Sequence, residues 1–250
     1  MRARLALTRG LVRGGGDARR AIGLISGLAI SLAACGEDIL DPGAGSDPGT
    51  GSRRLAIDGA VHARPHRAQG RASADFDTEV SVHVLLDSQP VTTGTVTVTS
   101  AAGKVPLTYS DSRWSVTAAG YAEVYVLDVM TGADSVAGVR VDGPDIHTFS
   151  QPEDGAAIDV SSPLTIGWLR DQPAEVAAFR VDSSNWIEIP DSGKYQLAAG
   201  QLRSDRSQAR EHTLRLARSN RVEPTGAATG STWSVTIENE VHVVAPPLPL

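Results

Sequence analysis

Histidines can bind metal ions or transfer protons, but the six in this chain are spread along it rather than clustered. They are His62, His66, His83, His147, His212 and His242. Only His62 and His66 lie close in sequence, and Arg64 and Arg67 flank them. Because two guanidinium charges disfavour a bound cation, the spacing favours an exposed loop over a metal site. We therefore predict no metal ligand and no cofactor.

Acidic residues and nucleophiles form no recognisable catalytic set either. Asp75, Asp77 and Glu79 could supply oxygen ligands to calcium, but the glycine and terminal glutamate of an EF-hand loop are missing. The chain also lacks a Gly-x-Ser-x-Gly motif, and its glycine-rich stretches precede no predicted helix. A pair of glycosidase carboxylates from distant strands stays open. We predict no catalytic residue and expect that the protein is not an enzyme.

The single cysteine, Cys35, is the most informative residue for chemistry. It follows an apolar run of 14 residues, 21–34, which is too short for a membrane-spanning helix of about 20 residues. The segment before that run contains six arginines against one aspartate, Asp17. A basic segment, an apolar run and small residues are typical of a cleaved secretory signal. An unpaired thiol directly after the cleavage point predicts that Cys35 is modified rather than disulfide-bonded.

The segment Leu32-Ala33-Ala34-Cys35 resembles the lipobox of bacterial lipoproteins. The resemblance implies that residues 1–34 are a signal peptide that is removed, and that Cys35 carries a diacylglyceryl group. Several acyl chains would hold the protein on a membrane, because each buried methylene contributes roughly 0.8 kcal/mol. Gly36 stands where some lipoproteins have the aspartate of inner-membrane retention, so the resemblance favours the outer membrane. We expect a lipid-anchored protein of the bacterial cell envelope.

Removal of the signal makes the protein strongly acidic. It takes away six arginines and one aspartate and leaves 17 basic against 28 acidic residues, so the formal charge moves from −6 to −11. Nucleic acids bind basic stripes, and anionic lipid headgroups attract basic clusters. The charge therefore predicts no nucleic-acid partner, and it indicates membrane attachment through the lipid alone.

Residues 35–53 are predicted to be the lipidated cysteine and a flexible linker. The stretch after Cys35 is rich in Gly, Pro, Ser and Asp and has few groups to bury. Such a composition does not compensate the entropy of ordering the chain.

Residues 54–143 have the pattern of a small β-sandwich. Val80, Val82 and Val84 alternate with polar residues, as expected for a half-buried strand. About seven short apolar segments follow one another, separated by turn residues such as Met130-Thr131-Gly132. This pattern predicts an all-β fold, and no long segment has a helical period.

Residues 144–245 are predicted to be a second sandwich, and 246–250 a proline-rich tail. Pro152-x-x-Gly155 before Leu164-Thr-Ile-Gly-Trp168 resembles the start of a fibronectin type III or immunoglobulin-like domain. Asp191-x-Gly-x-Tyr195 resembles the tyrosine corner of such folds, whose hydroxyl bonds to nearby backbone. The immunoglobulin cysteine two residues later is Leu197 here, so packing alone must hold the core. The resemblance implies two tandem sandwiches of the immunoglobulin-like or fibronectin type III-like kind.

Four tryptophans are the largest apolar side chains available for a core or a contact surface. Trp168 and Trp233 lie in alternating segments and are predicted to fill the cores. Trp186 follows the polar segment Asp182-Ser-Ser-Asn and is the one candidate contact residue. An anchor followed by sandwiches predicts a non-catalytic lipoprotein that binds protein or polysaccharide or acts as a spacer. A periplasmic subunit of a transport or secretion complex is the alternative, and an envelope hydrolase is the least favoured.

Overall fold

β-Strands provide almost all the regular structure, which confirms the all-β prediction. The computed structural model describes residues 40–247, so the predicted signal peptide, Cys35 and the last three residues of the tail lie outside the described part. Within residues 40–247 the one helical element is a 3₁₀ turn, Ser73–Asp75. No helix of this region has the length and apolar character needed to cross a membrane.

The first ten strands precede residue 143. They are β1 Thr50–Gly51, β2 Leu55–Pro65, β3 Phe76–Leu86, β4 Gln89–Pro90, β5 Thr95–Ser100, β6 Gly103–Pro106, β7 Thr108–Ser110, β8 Arg113–Ala119, β9 Val124–Thr131 and β10 Asp134–Asp142. The remaining eight are β11 Thr148–Gln151, β12 Ala156–Ala157, β13 Leu164–Leu169, β14 Val176–Val181, β15 Ile187–Ile189, β16 Lys194–Leu197, β17 Arg210–Val222 and β18 Thr232–Ala245.

The first sandwich packs a five-stranded sheet, in the order β1-β10-β9-β5-β6, against part of a larger sheet. That larger sheet runs β15-β14-β17-β18-β2-β3-β8-β7. The core between the sheets contains Val80, Val82 and Val84, each at most 3% exposed, as the alternating pattern predicted. Gly59 on β2 makes room for the fully buried ring of Trp233, because a β-carbon there would lie 2.7 Å from its Cε3.

The second sandwich packs the three-stranded sheet β11-β13-β16 against the other end of the larger sheet. Its core contains Trp168, which is 2% exposed, together with Phe179, Leu214 and Leu216. The cores of both sandwiches are therefore built from the alternating apolar positions of long strands, and each contains one of the two tryptophans predicted to be buried.

The hairpin of β17 and β18 belongs to both sandwiches. Its antiparallel register runs without interruption from Arg210↔Ala245 to Val222↔Trp233. Trp233, Val235 and Ile237 lie in the first core, whereas Val241 and Val243 lie in the second. The boundary predicted at residues 143/144 falls between β10 and β11, but the first sandwich also needs this later hairpin to complete its core.

The prediction of a flexible linker is corrected by the structure, because the described part of this segment is attached to β10 and forms the edge strand β1. Thr50 and Gly51 pair with β10, and Asp47 forms a bridge with Arg140. The Asp142 carboxylate accepts hydrogen bonds from the backbone N–H groups of Gly43 and Gly45, at 3.0 and 2.9 Å. The composition of this segment suggested disorder, but its backbone groups form hydrogen bonds with β10 and are ordered by them.

A second correction concerns the predicted tyrosine corner. The Tyr195 hydroxyl makes no hydrogen bond within residues 40–247, and its ring packs against Phe179 with centroids 5.4 Å apart. The buried Tyr121 instead donates its hydroxyl to the backbone oxygen of Pro144, at 2.6 Å. This bond ties the first sandwich to the segment that leads into the second.

Arg218 on β17 is fully buried where the segment after β10 meets loops of the second sandwich. Its Nε lies 3.0 Å from Asp191 Oδ2, and its Nη1 and Nη2 each lie 3.2 Å from Asp145 Oδ1. Nη2 also donates to the backbone oxygen of Gln172. Burial alone would raise the pKa of Asp191, but the N–H of Ala174, the Trp168 indole and the Arg218 charge lower it below its ordinary value.

Candidate functional site

Trp186 lies in the turn between β14 and β15 and is 36% exposed, in contrast to the three buried tryptophans. The guanidinium carbon of Arg180 lies 4.3 Å from the centroid of its ring, which is a cation–π distance. Ile187, the next residue, is 48% exposed. The structure thus presents an apolar shelf, Trp186 and Ile187, at the position where the sequence placed its contact residue. The contact role of Trp186 stays a prediction.

The turn that carries the shelf is shaped by side-chain bonds to backbone. Asp182 has a left-handed φ of 51°, and Ser184 donates its N–H to the oxygen of Val181 at 2.9 Å. The Ser184 hydroxyl accepts the N–H of Val181 at 3.2 Å. Asp and Ser are favoured in turns because their side chains bond to nearby backbone groups. The sequence Asp182-Ser-Ser-Asn therefore reverses the chain and directs the next residues outward.

A cavity of about 490 Å³ opens beside this turn, at the end of the second sandwich. We call it the hairpin cavity. Its polar lining comes from β14, the β14–β15 turn, the loop between β16 and β17, and the start of β17. The residues that could recognise a ligand are Arg180, Asp182, Ser183, Arg203, Arg210 and His212. Phe179 and Leu197 lie at its apolar base.

The buried His212 and the partly exposed Asp182 lie within ion-pair distance in the wall of the hairpin cavity. His212 Nδ1 lies 2.8 Å from Asp182 Oδ2, and His212 Nε2 lies 2.7 Å from the backbone oxygen of Arg203. Thr213 donates its N–H to Asp182 Oδ1 at 2.8 Å. Burial alone would raise the pKa of Asp182, but the His212 bond and the Thr213 N–H lower it below its ordinary value.

This pair does not form a catalytic triad with the neighbouring serines. A general base needs a free ring nitrogen within hydrogen-bond reach of the nucleophile. Both ring nitrogens of His212 already face acceptor oxygens, and the Ser184 hydroxyl is engaged with backbone. The contacts of His212 therefore have a structural role: they hold the turn after β14 and the loop between β16 and β17 against the start of β17.

Arg203 and Arg210 are the cations of the hairpin cavity that are not used by the fold. Both are exposed, and neither forms an ion pair with any residue from 40 to 247. Arg180 is shared with the fold, because its Nη2 lies 3.6 Å from the buried Glu238 Oε2. The sequence analysis singled out Trp186 but not these arginines, since only the tertiary structure brings residues 180, 203 and 210 together.

Glu238 on β18 lies within ion-pair distance of several basic side chains on the outer face of the large sheet. His62 Nε2 lies 2.5 Å from its Oε1, and Arg64 Nε lies 3.7 Å from the same oxygen. Burial alone would raise the pKa of Glu238, but the bond from His62 and the charges of Arg180 and Arg64 lower it. His62 lies on β2, paired with β3 and β18, and not in an exposed loop, and its ring contacts this buried carboxylate.

The other candidate ligands of a metal ion are also engaged in structural contacts. His66 Nε2 lies 2.9 Å from Asp77 Oδ1. Asp75 accepts the backbone N–H groups of Arg71 and Ala72, which lower the pKa of its carboxyl. Among residues 40–247, no group of three or more His, Cys, Asp or Glu side chains is placed to hold a metal ion.

A second cavity, of about 320 Å³, lies in the first sandwich and is largely apolar. Small residues between the sheets, including Ala101, Ala102 and Ala118, leave this space. Its polar groups are paired with one another; for example, the Thr78 hydroxyl donates to the oxygen of Gly120 at 2.6 Å. It presents no polar group to orient a ligand comparable with the arginines of the hairpin cavity.

Comparisons with known proteins assign no family to the chain. No protein-family model matches it. No curated protein matches it either. A crystal structure of DIP-gamma IG1+IG2 is similar over 73% of this chain and 97% of that chain, with 9% identity and a TM-score of 0.22. A likeness this weak carries no argument about function, and the all-β sandwich class follows from the strands and cores described above.

Proposed function

We propose that this protein is a non-catalytic, lipid-anchored lipoprotein of the bacterial cell envelope, and that it binds an envelope protein or polysaccharide. The observation that carries the binding role is the exposed shelf of Trp186 and Ile187 beside the hairpin cavity. Aromatic residues that are partly exposed next to a concave site with polar groups are typical of ligand recognition. The anchor rests on the lipobox-like segment that ends at Cys35.

The shelf lies in the second sandwich, which supports a role in which the protein presents a binding surface at a distance from the anchored segment. Asn220 Nδ2 donates to the oxygen of Asp142, next to the point where residues 43 and 45 join β10. His212 of the hairpin cavity lies eight residues before Asn220 on the same strand. At about 3.3 Å per residue, the cavity is about 26 Å along β17 from that attachment.

The proposal is tested by capture of envelope components on the full-length protein. Trp186→Ser removes the aromatic half of the shelf and is expected to reduce capture. Met130→Ser, which changes an apolar residue 63% exposed on the first sandwich, is the matched control. Equal capture by wild type and both variants would contradict binding through the shelf. Protease digestion of intact and permeabilised cells would report which side of the outer membrane the sandwiches occupy.

The alternative role, an accessory subunit of a periplasmic transport or secretion complex, is favoured by one feature. β15 is an edge strand of the large sheet, and its Ile187 is exposed. Exposed edges can accept a strand from a partner. Co-purification of a stoichiometric partner that is lost on Ile187→Pro would favour this role, whereas an isolated monomer in light scattering would count against it.

A further inference from the structure

The unpaired arginines of the hairpin cavity are unusual for a chain of this charge. The sequence from Cys35 onward carries 28 acidic against 17 basic residues. Even so, Arg203 and Arg210 meet no carboxylate within ion-pair distance in the described residues. An arginine presents a rigid fork of donors that matches a carboxylate, sulfate or phosphate. Two such forks at one cavity form a site for an anion.

The charge balance of the cavity lining also favours an anion. Arg203 and Arg210 line it against the single carboxylate of Asp182, in addition to Arg180, whose charge Glu238 already shares. The two oxygens of Asp182 are occupied by His212 and by the N–H of Thr213. His212 and Thr213 thus compensate Asp182, whose side chain is 41% exposed, and the guanidinium groups of Arg203 and Arg210 keep donors for a ligand.

The cavity is larger than one inorganic anion requires, and its lining includes Ile187, the neighbour of Trp186 in the apolar shelf. Its volume of about 490 Å³ lies in the range of sites that bury small organic ligands. The Trp186 ring offers a flat apolar surface with a guanidinium already stacked on one face. A sugar ring has an apolar face of C–H groups that packs on such a surface, and an acidic sugar adds a carboxylate for the arginines.

We infer that the hairpin cavity binds an acidic polysaccharide, with an anionic sugar held by Arg203 and Arg210 and a neighbouring ring packed on Trp186. This inference names the ligand class of the site in the proposed function and rests on that proposal.

The probe is an oligomer of polygalacturonate, and its carboxyl-reduced counterpart is the matched neutral ligand. Binding to the full-length protein in detergent is measured by titration calorimetry. Arg203→Gln and Arg210→Gln are each expected to weaken polygalacturonate binding at least about tenfold, the usual effect of losing a charge-assisted hydrogen bond. Arg206→Gln removes the same charge from the same exposed loop without touching the cavity lining, and it should bind like the wild type.

Three outcomes would overturn the inference. The first is that the neutral polymer binds as tightly as the acidic one. The second is that Arg206→Gln loses as much affinity as Arg203→Gln. The third is that polygalacturonate does not bind. If the neutral polymer binds and Trp186→Ser abolishes that binding, the proposed function stands while the acidic ligand is wrong. If no polymer binds and capture of envelope components is also insensitive to Trp186, both fail. Circular dichroism of each variant verifies folding.

Discussion

Replacing the buried Arg218 tests how much its ion pairs with Asp145 and Asp191 stabilise the fold. Arg218→Met keeps most of the side-chain volume but removes the guanidinium donors that face Asp145 and Asp191. The Arg218 side chain is 0% exposed, and those of Asp145 and Asp191 are 13% and 3% exposed. The substitution therefore leaves the largely buried Asp145 without a cation and leaves Asp191 with Arg170 alone, whose Nε lies 3.3 Å from its Oδ1.

We expect a large loss of stability at pH 7. Removing one partner of a buried ion pair typically costs about 3 to 5 kcal/mol, because the remaining charge is uncompensated. The backbone N–H groups of Asp171, Gln172 and Ala174 still bind the carboxylates in the variant, which keeps the loss within that range. Arg221→Met changes an exposed arginine on the same strand and should cost less than about 0.5 kcal/mol.

The loss should shrink in acid. Burial raises the pKa of Asp145, but the N–H of Asp171 and the Arg218 charge outweigh it and lower that pKa below its ordinary value. A lowered folded-state pKa stabilises the fold above the unfolded pKa of about 3.9, and this contribution disappears as the pH falls through the folded value. Without Arg218 the carboxylates take up protons at higher pH, so the two proteins become more alike in acid.

Urea unfolding followed by tryptophan fluorescence measures the difference at pH 7 and near pH 3.5. A cost below about 1 kcal/mol at pH 7 would refute the reasoning about the buried charges. An equal cost at both pH values would show that lost packing, and not the unpaired carboxylates, accounts for the effect.

Three further predictions concern a buried histidine, a close contact and the anchor. Burial, together with the Arg218 charge, lowers the pKa of His147 to about 3, so the unfolded chain binds a proton between pH 6.5 and 3 that the folded chain does not. Acidification should therefore cost about 1.4 kcal/mol per pH unit from this residue, and His147→Asn should remove that slope in urea titrations. Gly59→Ala places a β-carbon against the Trp233 ring and should lower the unfolding free energy by about 1 to 3 kcal/mol. Ala60→Ser, at an exposed position of the same strand, is the control. An unchanged unfolding free energy for Gly59→Ala would show that the ring can shift. Cys35→Ser should leave an uncut precursor or release the protein from the membrane fraction, and mature protein that stays membrane-bound would contradict lipidation.

The strands could be predicted because their physical cause is local. Val80, Val82 and Val84 point to one face of β3 whatever lies opposite, since successive side chains alternate along any strand. Trp168 and Trp233 were predicted to be buried for the same reason, and both are. The exposure of Trp186 followed from the polar turn before it. These features could be predicted without knowing the order of the strands in the sheets or which residues pair across neighbouring strands.

The attachment of the linker and the burial of charges could not be predicted in the same way. The glycines at 43 and 45 indicate disorder by composition, and they become ordered only because Asp142 accepts their N–H groups from about 100 residues away. His62 and Glu238 are likewise far apart in the sequence and meet only because β18 pairs in parallel with β2. Long-range pairing of this kind leaves no periodic signal in either segment.

By itself the sequence determined the all-β class, the alternation of the buried faces, the acidic charge and the lipobox-like segment at Cys35, because each depends on neighbouring residues alone. Only the tertiary structure decided that the β17–β18 hairpin serves both cores and that Arg218 is buried between two aspartates. It also brought Arg180, Arg203 and Arg210 to one cavity beside Trp186. These arrangements depend on which strands become neighbours, and strand order is set by the packing of the whole chain rather than by any local pattern.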